Sequence, residues 1–250
     1  MDIFYYIITG ALVGFTVGVT GVGGGSLMTP FLLGFGFPIH TAVGTDLLYA
    51  GLTKTSGMIA HHRLKNVDWR IMALLTVGSL PAAALALVLL SSFESKQQYG
   101  LLLNTALGGM LIVTAAVILF RNKLRQLPEL HLPAHIVLPL FGLVLGASIA
   151  LSSVGAGAIT AAVLMVLYRS LRTTRVVGTD IAHAAPLTLL AGVGHWYLGN
   201  VDFVLLTGLL IGSLPAIALG ARFSDHLPEK FIQPFFGVLL LTIGIKLVLS

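Results

Sequence analysis

The chain has 250 residues, 56% of them hydrophobic and 9% charged, with 14 Lys and Arg against 9 Asp and Glu and no cysteine. A soluble domain carries about 25% charged residues, so this composition excludes a water-soluble globule; the missing cysteines exclude disulfides, thiolate metal sites and a cysteine nucleophile. The net charge of +5 is scattered through short loops, as the positive-inside rule requires, and forms no basic face for nucleic acid.

Mean hydropathy is +0.98, and long apolar runs recur from end to end. They read as bilayer-crossing helices; none shows the strict alternation of an outer-membrane barrel strand. The chain opens Met1-Asp2 with no basic stretch and no small-residue cleavage site, so the first apolar segment, 3–19, is expected to be retained. Residues 18–30, GVTGVGGGSLMTP, follow, with Gly18, Gly21, Gly23, Gly24 and Gly25. Such a cluster breaks a helix, and unwound backbone at membrane depth is tolerated only where protein or a watery cavity satisfies its amides. The remaining segments of the first half run over 26–37, 43–62, 69–91 and 97–120. A polar linker, 121–134, leads to 135–152, a second glycine break LSSVGAGAIT at 151–160, and then 157–168, 176–195, 203–221 and 230–249.

The halves repeat. Val43-Gly44-Thr45-Asp46 recurs as Val177-Gly178-Thr179-Asp180, an offset of 178 − 44 = 134. At the same offset, His61-x-x-Leu64-x-Asn66-Val67-Asp68 recurs from His195 to Asp202, GSLP at Gly78 recurs at Gly212, and Gly21 and Gly23 map to Gly155 and Gly157. This predicts an all-α membrane fold of two repeats, 1–120 and 135–250. Equivalent loops differ in charge: Arg63, Lys65 and Arg70 have no basic counterpart near 195–202, whereas Arg169, Arg172 and Arg175 have none near 37–42. Opposite basic content places equivalent loops on opposite sides, the pattern of an inverted repeat, with both termini outside. Segments 26–37 and 157–168 are about 12 residues, or about 18 Å of helix against roughly 30 Å of hydrocarbon. They read either as re-entrant hairpins meeting at their glycine tips or as short crossings.

A glycine turn that opens a helix offers free amides and a positive dipole end to an anion. The candidate donors are Gly23, Gly24, Gly25 and Ser26 in the first half, and Ser152, Ser153, Gly155 and Gly157 in the second; close helix packing is the alternative. Lys54 lies near mid-membrane, where a cation marks function by default, and shares a helix stripe with Leu47 and His61. Its repeat partner is Thr188. Asp46 and Asp180 lie just inside their helices, as caps or as proton-accepting groups. His61 and His195 read as membrane-edge anchors or gating groups, since His titrates near neutral pH. His183 sits deeper, either as a core histidine or at the second hairpin. Matched prolines, Pro81 and Pro215, and the unmatched Pro186 read as kinks. No Walker, HExxH or Ser-His-Asp pattern appears, so the chain is expected to be no enzyme, with no cofactor and no metal.

With these residues placed, the chain resembles the sulfite exporter TauE/SafE family. The resemblance is carried by GVGGGSLMTPFL, by residues 42–69 (AVGTDLLYAGLTKTSGMIAHHRLKNVDW), by residues 176–202 (VVGTDIAHAAPLTLLAGVGHWYLGNVD) and by GSLP. It implies a permease of the bacterial cytoplasmic (inner) membrane for sulfite, sulfoacetate or other organosulfonates. The expected partners are a small anion and the lipid bilayer. The sequence reading is thus a secondary transporter of sulfur oxyanions working by alternating access. Export of a free anion is favoured by an inside-negative potential, at about 2.3 kcal/mol per charge per 100 mV. The competing readings are an intramembrane enzyme using His61, His62 and His183, and a non-transporting assembly subunit.

Overall fold

The computed structural model describes residues 3–20, 27–124, 126, 132–224 and 229–249. These residues form helices, with no strand among them: α1 Ile3–Thr20, α2 Met28–Gly34, α3 Ile39–Arg63, α4 Trp69–Ser91, α5 Lys96–Leu119, the single turn α6 Arg121–Leu124, α7 Ala134–Ser152, α8 Ala158–Leu167, α9 Thr173–Tyr197, α10 Phe203–Ser224 and α11 Glu229–Leu249. The apolar segments read from the sequence match these helices to within a few residues, and two of the helices start on an aspartate cap. Asp68 Oδ1 accepts from the Arg70 and Ile71 amides at 3.2 and 3.3 Å, which starts α4. Asp202 Oδ1 does the same for Val204 and Leu205 at 2.9 Å each, which starts α10. Both carboxylates satisfy first-turn donors that have no partner inside the helix.

Among the described residues five helices are long and apolar enough to cross a membrane: α4, α5, α7, α9 and residues 203–220 of α10. Large apolar side chains face outward on them, including Val77, Leu85, Leu101, Leu140, Val144 and Ile211. In water such a surface would drive association; in lipid it is the solvated face. Rings mark both ends: His62 lies 5.3 Å from Trp69 at one, and Trp196 lies 5.5 Å from Phe203 at the other.

α2 has 7 residues and α8 has 10. At 1.5 Å per residue they reach about 10 and 15 Å, too short to cross about 30 Å of hydrocarbon. Each folds back along its predecessor. Tyr5 and Tyr6, at the start of α1, stand 5.8 Å from Phe35 and 5.6 Å from Phe37 at the end of α2. Leu138, early in α7, shares a core cluster with Leu164 and Leu167, late in α8. In both pairs the short helix therefore runs antiparallel to its predecessor.

The packing links the two series of helices reciprocally. α1 lies on α10 and α7 on α4, while α3 lies on α9 and α5 on α11. Glycines set the close approaches. A Cβ on Gly51 would meet Leu189, one on Gly57 would meet Ile181, and one on Gly192 would meet Leu48. Residue numbers rise on α3 as they fall on α9, so this central pair is antiparallel. Hydrogen bonds repeat the exchange: the Asp68 amide donates to Thr179 Oγ1 at 2.8 Å, and the Asp202 amide donates to Thr45 Oγ1 at 3.1 Å.

One expectation needs correcting. The offset of 134 holds from α3 onward but not in the first helices. Gly10 packs on Leu209 where Gly142 packs on Leu75, so α1 and α7 match at 142 − 10 = 132. The repeat is not gapless; two further residues enter the second series between Gly146 and Gly178. Glycine contacts with a facing helix fix the true register, and short sequence matches elsewhere do not report it.

Candidate functional site

The site is built around the antiparallel pair α3 and α9. Residues 42–51 of α3 are all buried. This helix is 25 residues long but is not among the apolar spans; Asp46, with the Nζ of Lys54, is buried in the bundle.

Asp46 is fully buried. Its Oδ2 accepts from Thr29 Oγ1 of α2 at 2.5 Å and from Ser153 Oγ, at the tip between α7 and α8, at 2.9 Å. One carboxylate oxygen thus ties the first hairpin to the second. The other oxygen, Oδ1, is buried without a hydrogen-bond partner among the described residues. Asp180, the equivalent residue on α9, accepts from the Gly157 amide at 3.2 Å through Oδ1. That amide opens α8, so the carboxylate lies at the positive end of the helix dipole.

The tip between α7 and α8 is unwound by three left-handed residues, Ser153 (φ 61), Gly155 (φ 123) and Gly157 (φ 110). Gly155 also lacks room: a Cβ there would lie 2.5 Å from Met110 Cε. Ser152 serves its own turn, donating to Ser148 O at 2.6 Å and accepting from the Val154 amide at 3.2 Å. Gly23, Gly24, Gly25 and Ser26 lie outside the described residues. Ser153 and Gly157 therefore already give their donors to Asp46 and Asp180, the positions the sequence reading reserves for an anion.

Lys54 lies between Gly51 and Gly57, opposite the stretch of α9 that runs from Ile181 to Leu189. Its Nζ is buried and has no hydrogen-bond partner among the described residues. It lies within electrostatic reach of Asp180, Asp46 and His183. A lone ammonium in such surroundings is costly unless carboxylates balance it, and two do.

The histidines separate. His183 is buried, with Nε2 2.8 Å from Ser79 Oγ and Nδ1 unpartnered among the described residues. At the equivalent positions, Tyr49 OH donates to Ser213 Oγ at 2.8 Å. Ser79 and Ser213 belong to the repeated GSLP, yet their role escaped the sequence reading; the repeated serine was the available signal. Thr29 was missed too, having no repeat counterpart. His61 is half-buried at the end of α3, with Nδ1 against Gly178 and no hydrogen-bond partner among the described residues.

His195, read from sequence as an edge residue, is fully buried. Its Nε2 donates to Ala150 O at 2.9 Å, and its Nδ1 accepts from Asn200 Nδ2 at 3.1 Å. Asn200 Oδ1 in turn accepts from Tyr99 OH at 2.9 Å. This fixes a neutral ring that holds α7, α9 and α5 together. His195→Phe is expected to lower stability by about 1–3 kcal/mol by stranding two buried groups. Thermal unfolding in detergent reads this loss, and the pH profile of activity should keep its shape. Among the described residues no group of three His, Asp or Glu side chains is assembled for a metal ion.

A multi-pass helical bundle with two short folded-back helices, in which a buried carboxylate beside a buried lysine links α2 to the tip after α7, is built as a membrane transporter. The chain belongs to the family described as Sulfite exporter TauE/SafE, whose model matches residues 6–247. It is 36% identical over 251 residues to "Probable membrane transporter protein YjnA" of Bacillus subtilis (strain 168), covering 97% of this chain and 98% of that one. It is 29% identical to "Probable membrane transporter protein YdhB" of the same organism, over 92% and 96% of the two chains. A third relative, from Methanocaldococcus jannaschii, is 22% identical over 97% of this chain and 94% of its own. No solved structure matches the chain.

Proposed function

We propose that this protein is a secondary transporter of small sulfur oxyanions or organosulfonates across the bacterial cytoplasmic membrane, and that it moves them unchanged, by alternating access. The observation that carries the reading is the buried ammonium of Lys54, without a hydrogen-bond partner among the described residues and set near the carboxylates of Asp46 and Asp180. Lys54 would be the principal anion donor. Ser153 and Gly157 would join it when their carboxylate partners let go, with Ser152 and Gly155 shaping the tip and Gly23, Gly24, Gly25 and Ser26 forming the facing one.

The antiparallel α3 and α9 and the exchanged Thr45 and Thr179 hydrogen bonds support two oppositely oriented repeats, 1–120 and 135–250, that rock about their shared axis. Basic loops 63–70 and 169–175 would then face the cytoplasm, with both termini outside. His61 and His183, each with a ring nitrogen unpartnered among the described residues, would respond to that motion; His195 would belong to the frame. The family description supports the sulfur chemistry and the outward direction.

A thermal-shift screen of purified protein against sulfite, sulfate, thiosulfate, methanesulfonate and chloride tests this. Saturable stabilisation by a sulfur anion at concentrations where chloride does nothing is the expected result. Equal shifts with chloride, or no shift with any, would remove the reading.

A further inference from the structure

Five buried atoms of the central pair lack hydrogen-bond partners among the described residues, and three of them, Asp46 Oδ1, Lys54 Nζ and His183 Nδ1, belong to groups within electrostatic reach of one another around Lys54. The ionisable groups around them set a charge balance. α3 contributes Asp46, Lys54 and Tyr49, whose hydroxyl is engaged by Ser213 of α10. α9 contributes Asp180 and His183, the latter engaged by Ser79 of α4. α2 and the tip after α7 bring only the hydroxyls of Thr29 and Ser153.

With both aspartates ionised and Lys54 protonated, the cluster carries −1. A monoanion entering alone would make it −2 where dielectric screening is weakest. A monoanion entering with one proton leaves it at −1. The two carboxylates are not equal candidates for that proton. Asp180 Oδ1 faces the Gly157 amide at the head of α8, which favours its charge. Asp46 keeps both its donors on Oδ2, and its Oδ1 has no hydrogen-bond partner among the described residues, so that oxygen can take a proton without giving up a bond.

We propose that the anion crosses together with one proton carried on Asp46 Oδ1. This rests on the anion-transport reading above. A lone pair of Oδ1 takes a proton from hydronium on the open side, one O–H bond forming as the hydronium O–H bond breaks and leaves water, while Thr29 and Ser153 keep their bonds to Oδ2; on the far side the same proton returns to water as the anion leaves. The neutral acid then donates to the anion, with Lys54 Nζ as the second donor. A carboxylic acid kept neutral by its site acts in this way as an oxyanion donor. Loaded and empty sites carry the same charge, so membrane potential does no work on the cycle. Export then runs when the outward anion gradient exceeds the inward proton gradient.

Full-length protein in proteoliposomes tests this, with radiolabelled methanesulfonate (a monoanion throughout) and sulfite as substrates, a pH dye inside, and potassium–valinomycin potentials. Wild type should take up one proton per methanesulfonate, with accumulation unmoved by 100 mV. Asp46→Asn keeps an acceptor for Thr29 and Ser153 and a donor for the anion. It should carry anion without protons, and its accumulation should shift about 50-fold per 100 mV. Wild-type flux with no proton uptake and a 50-fold voltage response overturns the proposal, as does an Asp46→Asn protein that still moves protons. If that variant does not fold, wild-type stoichiometry and voltage response decide alone. No wild-type flux of either anion removes the transport reading and this inference with it.

Discussion

Lys54→Met is expected to abolish anion binding and transport, with a loss on the order of 100-fold or more, equal to about 2.7 kcal/mol of anion stabilisation. The same change should destabilise the empty protein. It leaves Asp46 and Asp180, both buried, without their cation, and breaking a buried charge pair costs about 3–5 kcal/mol. The two losses can be separated. Lys54→Met combined with Asp180→Asn removes the stranded charge along with the cation, so thermal stability should recover most of its loss. Transport should not recover, because the donor is gone. Recovery of both would reduce Lys54 to a counter-charge for Asp180; recovery of neither would point to packing by the lysine stem.

The second large effect is steric. A Cβ at Gly78 would lie 1.9 Å from Pro139 O, and one at Gly212 would lie 2.0 Å from Ile7 O. Both obstacles are backbone of a facing helix, so no side chain can swing away. Gly78→Ala should push α4 off α7, and Gly212→Ala should push α10 off α1. Overpacking of this kind costs about 3 kcal/mol, which for a chain of this size is roughly 6–12 °C in unfolding temperature. Gly109→Ala is the control, since nothing lies within 4 Å of its Cβ position. Within α5 it should gain roughly 0.5–1 kcal/mol, because alanine loses less backbone entropy in a helix than glycine. Similar losses at Gly78 and Gly109 would contradict the close α4–α7 crossing.

These two sites differ in how far they could be read without coordinates. Lys54 announced itself: a cation in an apolar run has few places to go. The glycines of GSLP announced only that the two halves repeat. That Gly78 touches Pro139, and that the adjacent Ser79 reaches His183, are facts about residues about 60 and 104 positions apart, for which the chain carries no local signal. The resting partners of two candidate anion donors were hidden for a related reason. Glycine turns at Ser153 and Gly157 were legible as donor clusters. The carboxylates that take those donors come from α3 and α9 and reach them only through packing.

The sequence by itself determined the membrane solvent, the helical segments, the repetition and the shortness of the helix after each glycine break. Those follow from composition, from periodicity and from the length of an apolar run against a bilayer. Only the tertiary structure decided that α3 and α9 pack on each other, that α1 and α7 match two residues out of step, and that Asp46 links α2 to the tip after α7. It also decided that His195 is a core residue. Such outcomes depend on which helix faces which, and that is set by backbone approach at a few glycines and by paired buried polar groups, which have no period to read along the chain.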